Sequence, residues 1–215
     1  MSEPIPPHAG QRVLRFGAPW TQARAAMILV HGRGAGPHDL VGLAQAIDPS
    51  RVAYLAPGAA GGTWYPQGFM SEIAANEPGI TSGIGVIHAL IDECVAAGIP
   101  AERIVLLGFS QGACLACTAA QRRPQRYGGV VALSGGLIGP PGTAWSEDGA
   151  FAGMPAFFGC SDVDPHIPEP RVRESAAVYA RMGAEVTTRI YPGMGHMVNE
   201  DELSFAATLL ERLAS

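Results

Sequence analysis

Short apolar runs alternate with helix-like runs along almost the whole chain, and this alternation limits the possible folds more than any other feature. The runs at 26–30 (AMILV) and 103–109 (RIVLLGF) are apolar at nearly every position. Strands have this composition when both faces of their sheet are covered. Helical spacing of apolar residues follows at 38–47 and 111–123. The order predicts an α/β fold with a mostly parallel central sheet and helices on both faces.

The rest of the chain continues this pattern. An alternating run at 12–16 predicts an exposed edge strand. Further strands are predicted at 52–57, 128–133, 155–159 and 186–191, and further helices at 83–98, 170–183 and 199–213. With 215 residues and no repeat or linker, we expect one domain over 1–215. The long connections at 57–80 and 134–153 are expected to shape a pocket.

Composition excludes several classes of function. The net charge of −5 provides no basic surface for nucleic acid. All 14 basic residues are arginines, so a Ser-Lys dyad, a Walker phosphate loop and a Schiff-base lysine are excluded. No metal or organic cofactor is predicted.

Location is predicted from the N-terminus and the cysteines. The N-terminus shows no signal peptide, and the early apolar run at 25–30 is too short to span a membrane. Four cysteines without metal-finger spacing are expected to be reduced and buried: Cys94, Cys114, Cys117 and Cys160. These features predict a cytoplasmic protein.

The segment GFSQG at 108–112 lies where a predicted strand meets a predicted helix. A turn this tight leaves no room for side chains on either side of its central residue. Gly108 and Gly112 have no side chain and would therefore fit at these positions. Ser110 would then project above the carboxyl edge of the sheet as a nucleophile. The alternative is a turn serine that caps the helix.

A nucleophilic serine needs a base, which must be histidine in a chain without lysine. The candidates are His8, expected in a frayed N-terminus, together with His31, His38, His88, His166 and His196. In this fold the acid follows the serine and the histidine comes last. That order favours His196, in a glycine-rich loop after the last strand. Asp164 is the preferred acid, and Asp162 remains an alternative because both follow the strand at 155–159.

Acyl transfer also requires N–H donors for the developing oxyanion. One donor is predicted at the backbone of Gln111, the residue after the serine. The second is predicted at the backbone of Arg33, in the glycine-rich loop after the strand at 26–30. A dinucleotide loop is the alternative, but residues 32–37 read GRGAGP and not GxGxxG.

The chain resembles the phospholipase/carboxylesterase family of α/β-hydrolases in six segments, which occur in the order found in that family: LVHGRGAG, APGAAGGTWYPQ, RIVLLGFSQGACLA, SGGLIGP, CSDVDPHIP and YPGMGHMVNEDEL. The resemblance covers nearly the whole chain. It implies an α/β-hydrolase without a large cap domain, and a triad of Ser110, Asp164 and His196. The family pattern places its acid just before Pro-x-(Val/Ile)-Pro, which selects Asp164. Oxyanion donors at Arg33 and Gln111 are also implied.

The chain departs from the acyl-protein thioesterases at Arg33, where those relatives carry an apolar residue. We hypothesise that this charge lies at the pocket mouth and favours a short or acid-bearing acyl group. Trp64 and Tyr65 are predicted to form pocket wall, with a pair buried in the core as the alternative. His31 is expected to hold the oxyanion loop through hydrogen bonds, and Cys114 and Cys117 to pack against the sheet.

Together these predictions describe a serine carboxylesterase for small-molecule esters of short to medium acyl chain. An acyl thioesterase or lysophospholipase with the same triad is the alternative. A non-catalytic binding protein is disfavoured, because binding does not require all three triad residues.

Overall fold

Seven strands form one sheet in a computed structural model that describes residues 5–47 and 50–215. The order across the sheet is β1-β3-β2-β4-β5-β6-β7. Only β1 is antiparallel to its neighbour, and all other pairs are parallel. The strands are β1 (Val13–Gly17), β2 (Ala25–Val30), β3 (Val52–Pro57), β4 (Ile104–Phe109), β5 (Gly129–Leu133), β6 (Pro155–Ser161) and β7 (Glu185–Tyr191). The predicted mostly parallel sheet is confirmed.

Five α-helices cover the sheet in the described residues: α1 (Val41–Ile47), α2 (Gly79–Ala96), α3 (Gln111–Arg122), α4 (Glu169–Arg181) and α5 (Glu200–Ala214). The helix predicted at 38–47 begins later, because Pro37–Leu40 form a 3-10 turn. Within this part of the chain, the long connections 58–78 and 134–154 contain no α-helix or strand.

Strand β2 shows why the apolar runs are continuous. Each of its six residues is fully buried. Ala26, Ile28 and Val30 join the core beneath α2, α3 and α4. Their alternating neighbours join a second core beneath α1 and α5. Because each face of the sheet has its own core, neither set of side chains can be polar.

Helix α2 is long and apolar enough to cross a membrane by length and composition. However, 56% of that window is buried inside the protein, against α3 and the sheet. Core helices of this kind pass the same test, so the helix is weak evidence for a membrane span. The predicted cytoplasmic location remains a prediction.

His8 corrects the expectation of a frayed N-terminus. Its side chain is 2% exposed, and its backbone N–H donates to Ser82 Oγ of α2 at 2.9 Å. His8 is therefore packed onto the domain, although residues 5–7, 10 and 11 beside it are exposed.

Helix α5 begins with a reciprocal cap. Asn199 Oδ1 accepts from the Glu202 backbone N–H, and Glu202 Oε2 accepts from the Asn199 backbone N–H, each at 3.0 Å. The Glu202 side chain is fully buried, and its Oε1 has no hydrogen-bond partner in the described residues. Burial raises the pKa of Glu202 to about 7. An acid at N3 of the helix is thus held where its ionised form is disfavoured.

We expect the free energy of unfolding of wild type to fall as the pH rises, and we expect Glu202→Gln to abolish this pH dependence. The unfolded chain ionises this group near its ordinary value, while the folded protein holds the proton to about pH 7. The contribution of Glu202 to the free energy of unfolding is therefore fully present below its pKa in the unfolded chain. It is lost as the pH rises through the pKa in the folded protein, by about 3 kcal/mol. Urea unfolding at several pH values measures this, with the exposed neighbour Glu200→Gln as control. Parallel curves for wild type and Glu202→Gln would contradict the prediction.

Candidate active site

Ser110 lies in a strained turn between β4 and α3. Its backbone has φ 56° and ψ −123°, a conformation that costs a residue with a side chain about 1–3 kcal/mol. The Ser110 N–H donates to Leu133 O at 2.9 Å, which ties the turn to the neighbouring strand. The turn lifts the Ser110 side chain above the carboxyl edge of the sheet.

The two glycines around Ser110 are required by close backbone contacts. A Cβ on Gly108 would collide with the backbone of Gly112 and Ala113. One on Gly112 would collide with the carbonyl oxygens of Val30 and His31 at the end of β2. The predicted reason for the Gly-x-Ser-x-Gly pattern is therefore found in the structure.

His196 reaches Ser110 from the loop between β7 and α5. Its Nε2 lies 2.8 Å from Ser110 Oγ, and its Nδ1 lies 2.7 Å from Asp164 Oδ2. The histidine side chain is 18% exposed, whereas the Asp164 side chain is fully buried. Serine, histidine and carboxylate thus form one continuous hydrogen-bonded chain.

The Asp164 carboxylate is held for ionisation. Burial alone would raise its pKa, but hydrogen bonds from His196 and from two backbone N–H groups outweigh burial and lower the pKa. Those N–H groups belong to His166 and Ile167 and lie 2.8 and 3.0 Å from Oδ1. A carboxylate with these donors stays charged and can orient an imidazole.

Asp162, the alternative acid, has a different position. Its Oδ1 accepts from the Gly193 backbone N–H at 2.8 Å, and Ser161 Oγ accepts from the Gly195 backbone N–H at 2.9 Å. Both glycines have positive φ values of 66° and 78°. Asp162 and Ser161 therefore hold the loop that carries His196, while Asp164 contacts the imidazole itself.

The two predicted oxyanion donors have unused backbone N–H groups. Gln111 is the first residue of α3, where an N–H has no partner within the helix. Neither the Arg33 nor the Gln111 backbone N–H donates a hydrogen bond inside the part of the chain that the structure describes. Both residues line the cavity that contains Ser110, where a substrate oxygen would be the acceptor.

His31 stabilises the loop that carries Arg33. Its Nδ1–H donates to Gly32 O at 2.8 Å, and its Nε2 accepts from the Ala59 N–H at 3.1 Å. This pair of bonds requires the neutral ring, and burial lowers the pKa of His31. The sequence expectation of a loop-holding histidine agrees with this geometry.

The Arg33 side chain points to the connection after β3. Its guanidinium donates to the carbonyl oxygens of Tyr65, Pro66 and Gln67. The positive charge therefore lies at the cavity rim, where the guanidinium donates three hydrogen bonds to this loop. Two of its five N–H groups make no hydrogen bond within the described residues, so they remain free to bind a substrate oxygen.

The cavity around Ser110 has a volume of about 620 Å³. Its apolar lining comes from both faces of the sheet. Tyr65, Phe69 and Ile167 belong to the core beneath α2–α4. Leu40 belongs to the core beneath α1 and α5, and Leu43 and Val198 pack against it. Ser110 therefore has apolar surface on two sides.

Trp64 corrects part of the predicted pocket wall. Its side chain is completely buried and is not among the residues that line this cavity. The indole N–H donates to His31 O at 2.9 Å, which draws the ring inward. Tyr65 does line the cavity, so the two neighbours differ.

The four cysteines are free and buried, as predicted. Cys114 lines the cavity, but burial raises the pKa of its thiol to about 12. A neutral thiol is a poor nucleophile. Cys117 is also fully buried, and its pKa is raised well above the ordinary value by burial. Packing accounts for both residues.

Comparison with known proteins decides the family. A family model described as Phospholipase/Carboxylesterase matches residues 15–214, which is almost the entire chain. The chain belongs to the phospholipase/carboxylesterase family. It is a serine hydrolase with the α/β-hydrolase fold.

Three known proteins are similar to this chain over nearly the full length of both chains. The chain is 34% identical to a phospholipase/carboxylesterase from Dyadobacter fermentans, with a TM-score of 0.90 over 96% of this chain and 99% of that one. It is 28% identical to acyl-protein thioesterase 1 of Saccharomyces cerevisiae, over 94% of this chain and 98% of the relative. The carboxylesterase of Bacillus cereus shares the fold, with 20% identity and a TM-score of 0.76 over 95% of each chain.

Several contacts of this phospholipase/carboxylesterase site were not predicted from the sequence. His166 packs edge-on against the His196 ring at 4.9 Å and lines the cavity. The Gln111 side chain accepts from the Trp64 N–H and donates to Tyr65 O. Phe69 also lines the cavity, and it lies in the connection after β3, which contains no α-helix or strand in the described residues. The position of His166 beside Asp164 was the one signal available for any of them.

Proposed function

We propose that the protein is a serine carboxylesterase for small-molecule esters of short to medium acyl chain. The observation that carries the proposal is the continuous hydrogen-bonded chain from Ser110 Oγ through His196 to the buried Asp164. The same chain would be of no use to a protein that only binds its ligand. No metal or organic cofactor takes part in the proposed reaction.

In the proposed mechanism Ser110 Oγ attacks the ester carbonyl while His196 Nε2 takes its proton. The backbone N–H groups of Arg33 and Gln111 bind the oxyanion, each worth about 3 kcal/mol. His196 then protonates the leaving alcohol. Water activated by the same histidine attacks the acyl-Ser110 ester and releases the carboxylic acid.

The cavity has the size of a small-molecule site. Its volume of about 620 Å³ falls within the range of roughly 300–1,000 Å³ for such sites. An acyl chain gains burial energy from each methylene that lies against the apolar lining. The ester series described below tests the proposed short to medium length.

An acyl thioesterase is the second candidate. The relatives named acyl-protein thioesterase 1, among them that of Saccharomyces cerevisiae, favour it. The triad and the oxyanion donors would act on a thioester in the same way, since the leaving thiol is replaced and nothing else changes. A lysophospholipase would use the same triad on an ester with a long acyl chain.

A series of p-nitrophenyl esters from acetate to palmitate tests the proposal. We expect kcat/KM for acetate to octanoate esters to exceed that for palmitate by at least about tenfold, because burial energy stops rising once the acyl chain is longer than the apolar lining. A matched pair of oxygen and sulfur esters separates the two candidates. Preference for palmitate would contradict the proposed acyl length, and a clear preference for the thioester would favour the thioesterase.

A further inference from the structure

One loop contacts both segments that carry the proposed oxyanion donors. We call residues 59–67 the bridging loop. Its Gly62 O accepts from the Gly34 N–H at 2.8 Å, next to Arg33. On the other segment, the Trp64 N–H donates to Gln111 Oε1 at 2.9 Å, and Gln111 Nε2 donates to Tyr65 O at 2.8 Å. The position of the bridging loop therefore affects both donors together.

His8 holds this loop at two points. Its Nε2–H donates to Trp64 O at 2.8 Å, and its Nδ1 accepts from the Ala60 N–H at 3.0 Å. The ring packs edge-on against the Trp64 indole, with ring centres 5.1 Å apart. The backbone N–H of His8 is itself anchored to Ser82 of α2. His8 thus connects a rigid helix to both ends of the turn at 60–64.

We propose that His8, in its neutral form, is a positioning residue for the oxyanion hole, acting through the bridging loop. The inference rests on the proposed function, because it concerns the same acyl transfer at Ser110. His8 does not line the cavity. It would therefore affect the transition state and leave substrate binding nearly unchanged.

The hydrogen bonds require one protonation state of His8. Trp64 O can only accept and the Ala60 N–H can only donate, so Nε2 carries the proton and Nδ1 carries none. A second proton on Nδ1 would oppose the Ala60 N–H and break that bond. His31 accepts from the adjacent Ala59 N–H in the same manner. Two neutral rings thus hold successive amides of one loop.

The surroundings of His8 favour the neutral ring. Burial lowers the pKa of His8, and the hydrogen bond to Trp64 O opposes this shift only in part. The groups that face it from α2 and from the bridging loop, Ser82 and Trp64, are uncharged. The neighbouring titratable groups are His31 and, acting on His31, Asp39. Acid therefore weakens the support of the loop below the ordinary histidine pKa.

The experiment compares His8→Ala, His8→Gln and the control His88→Gln. His88 is also a part-buried histidine that bonds a backbone carbonyl, at Ala119, with its pKa lowered by burial. It lies on α2 and makes no hydrogen bond to the bridging loop among the described residues. For each protein we measure ester kcat and KM, the rate at which a fluorophosphonate labels Ser110, and the melting temperature, from about pH 5 to about pH 9.

We expect His8→Ala to lower kcat and the labelling rate by about 10- to 100-fold, since small misplacements of catalytic donors have effects of this size. KM should change less than about twofold, because substrate contacts remain. His8→Gln should recover part of the rate, since its amide can still donate to Trp64 O. It should also show a shallower acid limb than wild type. His88→Gln should match wild type in both rates.

Three results would overturn the proposal. Labelling of His8→Ala within about twofold of wild type would remove the positioning role. An equal loss in His88→Gln would mean that the effect is general destabilisation, and so would a loss that follows the melting temperature alone. Absence of labelling in wild type would defeat the proposed function itself, and this role with it.

Discussion

Replacement of Ser110 by alanine should lower kcat by roughly four to six orders of magnitude. The hydroxyl lies 2.8 Å from His196 Nε2, and no other described hydroxyl is hydrogen-bonded to that nitrogen. Alanine can occupy the same turn as serine, because both carry a Cβ at φ 56°. The loss should therefore appear in turnover and not in folding, as measured by ester hydrolysis and by thermal unfolding.

A matched control exists at the next strand. Ser134 is a buried serine that, like Ser110, has a positive φ, here 50°, and it follows β5 as Ser110 follows β4. We expect Ser134→Ala to keep activity within about tenfold of wild type. His196→Ala should lower kcat about as much as Ser110→Ala, because removing one member of a catalytic unit costs nearly as much as removing the whole unit. More than about 1% residual activity in Ser110→Ala would contradict the assignment.

The two aspartates after β6 should respond very differently to substitution by asparagine. For Asp164→Asn we expect kcat to fall by about 10⁴-fold, because an amide favours the wrong imidazole tautomer and cannot stabilise the imidazolium. For Asp162→Asn we expect a loss of less than about tenfold, since an amide oxygen can still accept from the Gly193 N–H. Steady-state kinetics on one ester measures both.

This comparison also separates chemistry from loop support. Asp164 is ionised at and somewhat below neutral pH, because hydrogen bonds outweigh burial and lower its pKa. Loss of activity below neutral pH should therefore not follow the titration of Asp164. If Asp162→Asn were the more damaging of the two changes, the assignment of the acid would be wrong.

Local sequence predicted those parts of the site that depend on neighbours in the chain. The run RIVLL before GFSQG identifies a buried strand that ends in a turn, since strand burial and glycine spacing are both local properties. The Ser110 turn was predicted in this way. The order of serine, acid and histidine along the chain then restricted the base to His196.

Contacts between distant segments could not be predicted from spacing. Asp162 and Asp164 both follow β6, and the difference between them depends on where the loop from β7 lies. The family resemblance selected Asp164, and spacing alone did not. Trp64 and His8 were misplaced for the same reason, since each is buried by residues far away in sequence. Burial of such residues is a property of the assembled fold.

The division of the site among loops bears on how this enzyme could diversify. Ser110, Asp164 and His196 follow β4, β6 and β7, whereas most of the cavity wall comes from the connections after β2 and β3. Insertions or exchanges within the first third of the chain could therefore alter substrate selectivity while the proton-transfer machinery stays intact. The loop at Arg33 and the bridging loop at 59–67 are exceptions, because they line or support the site and also hold the proposed oxyanion donors. Directed evolution toward new esters would accordingly begin at residues 40–43 and 68–69, and preserve the segment between His31 and Gly34 and the bridging loop.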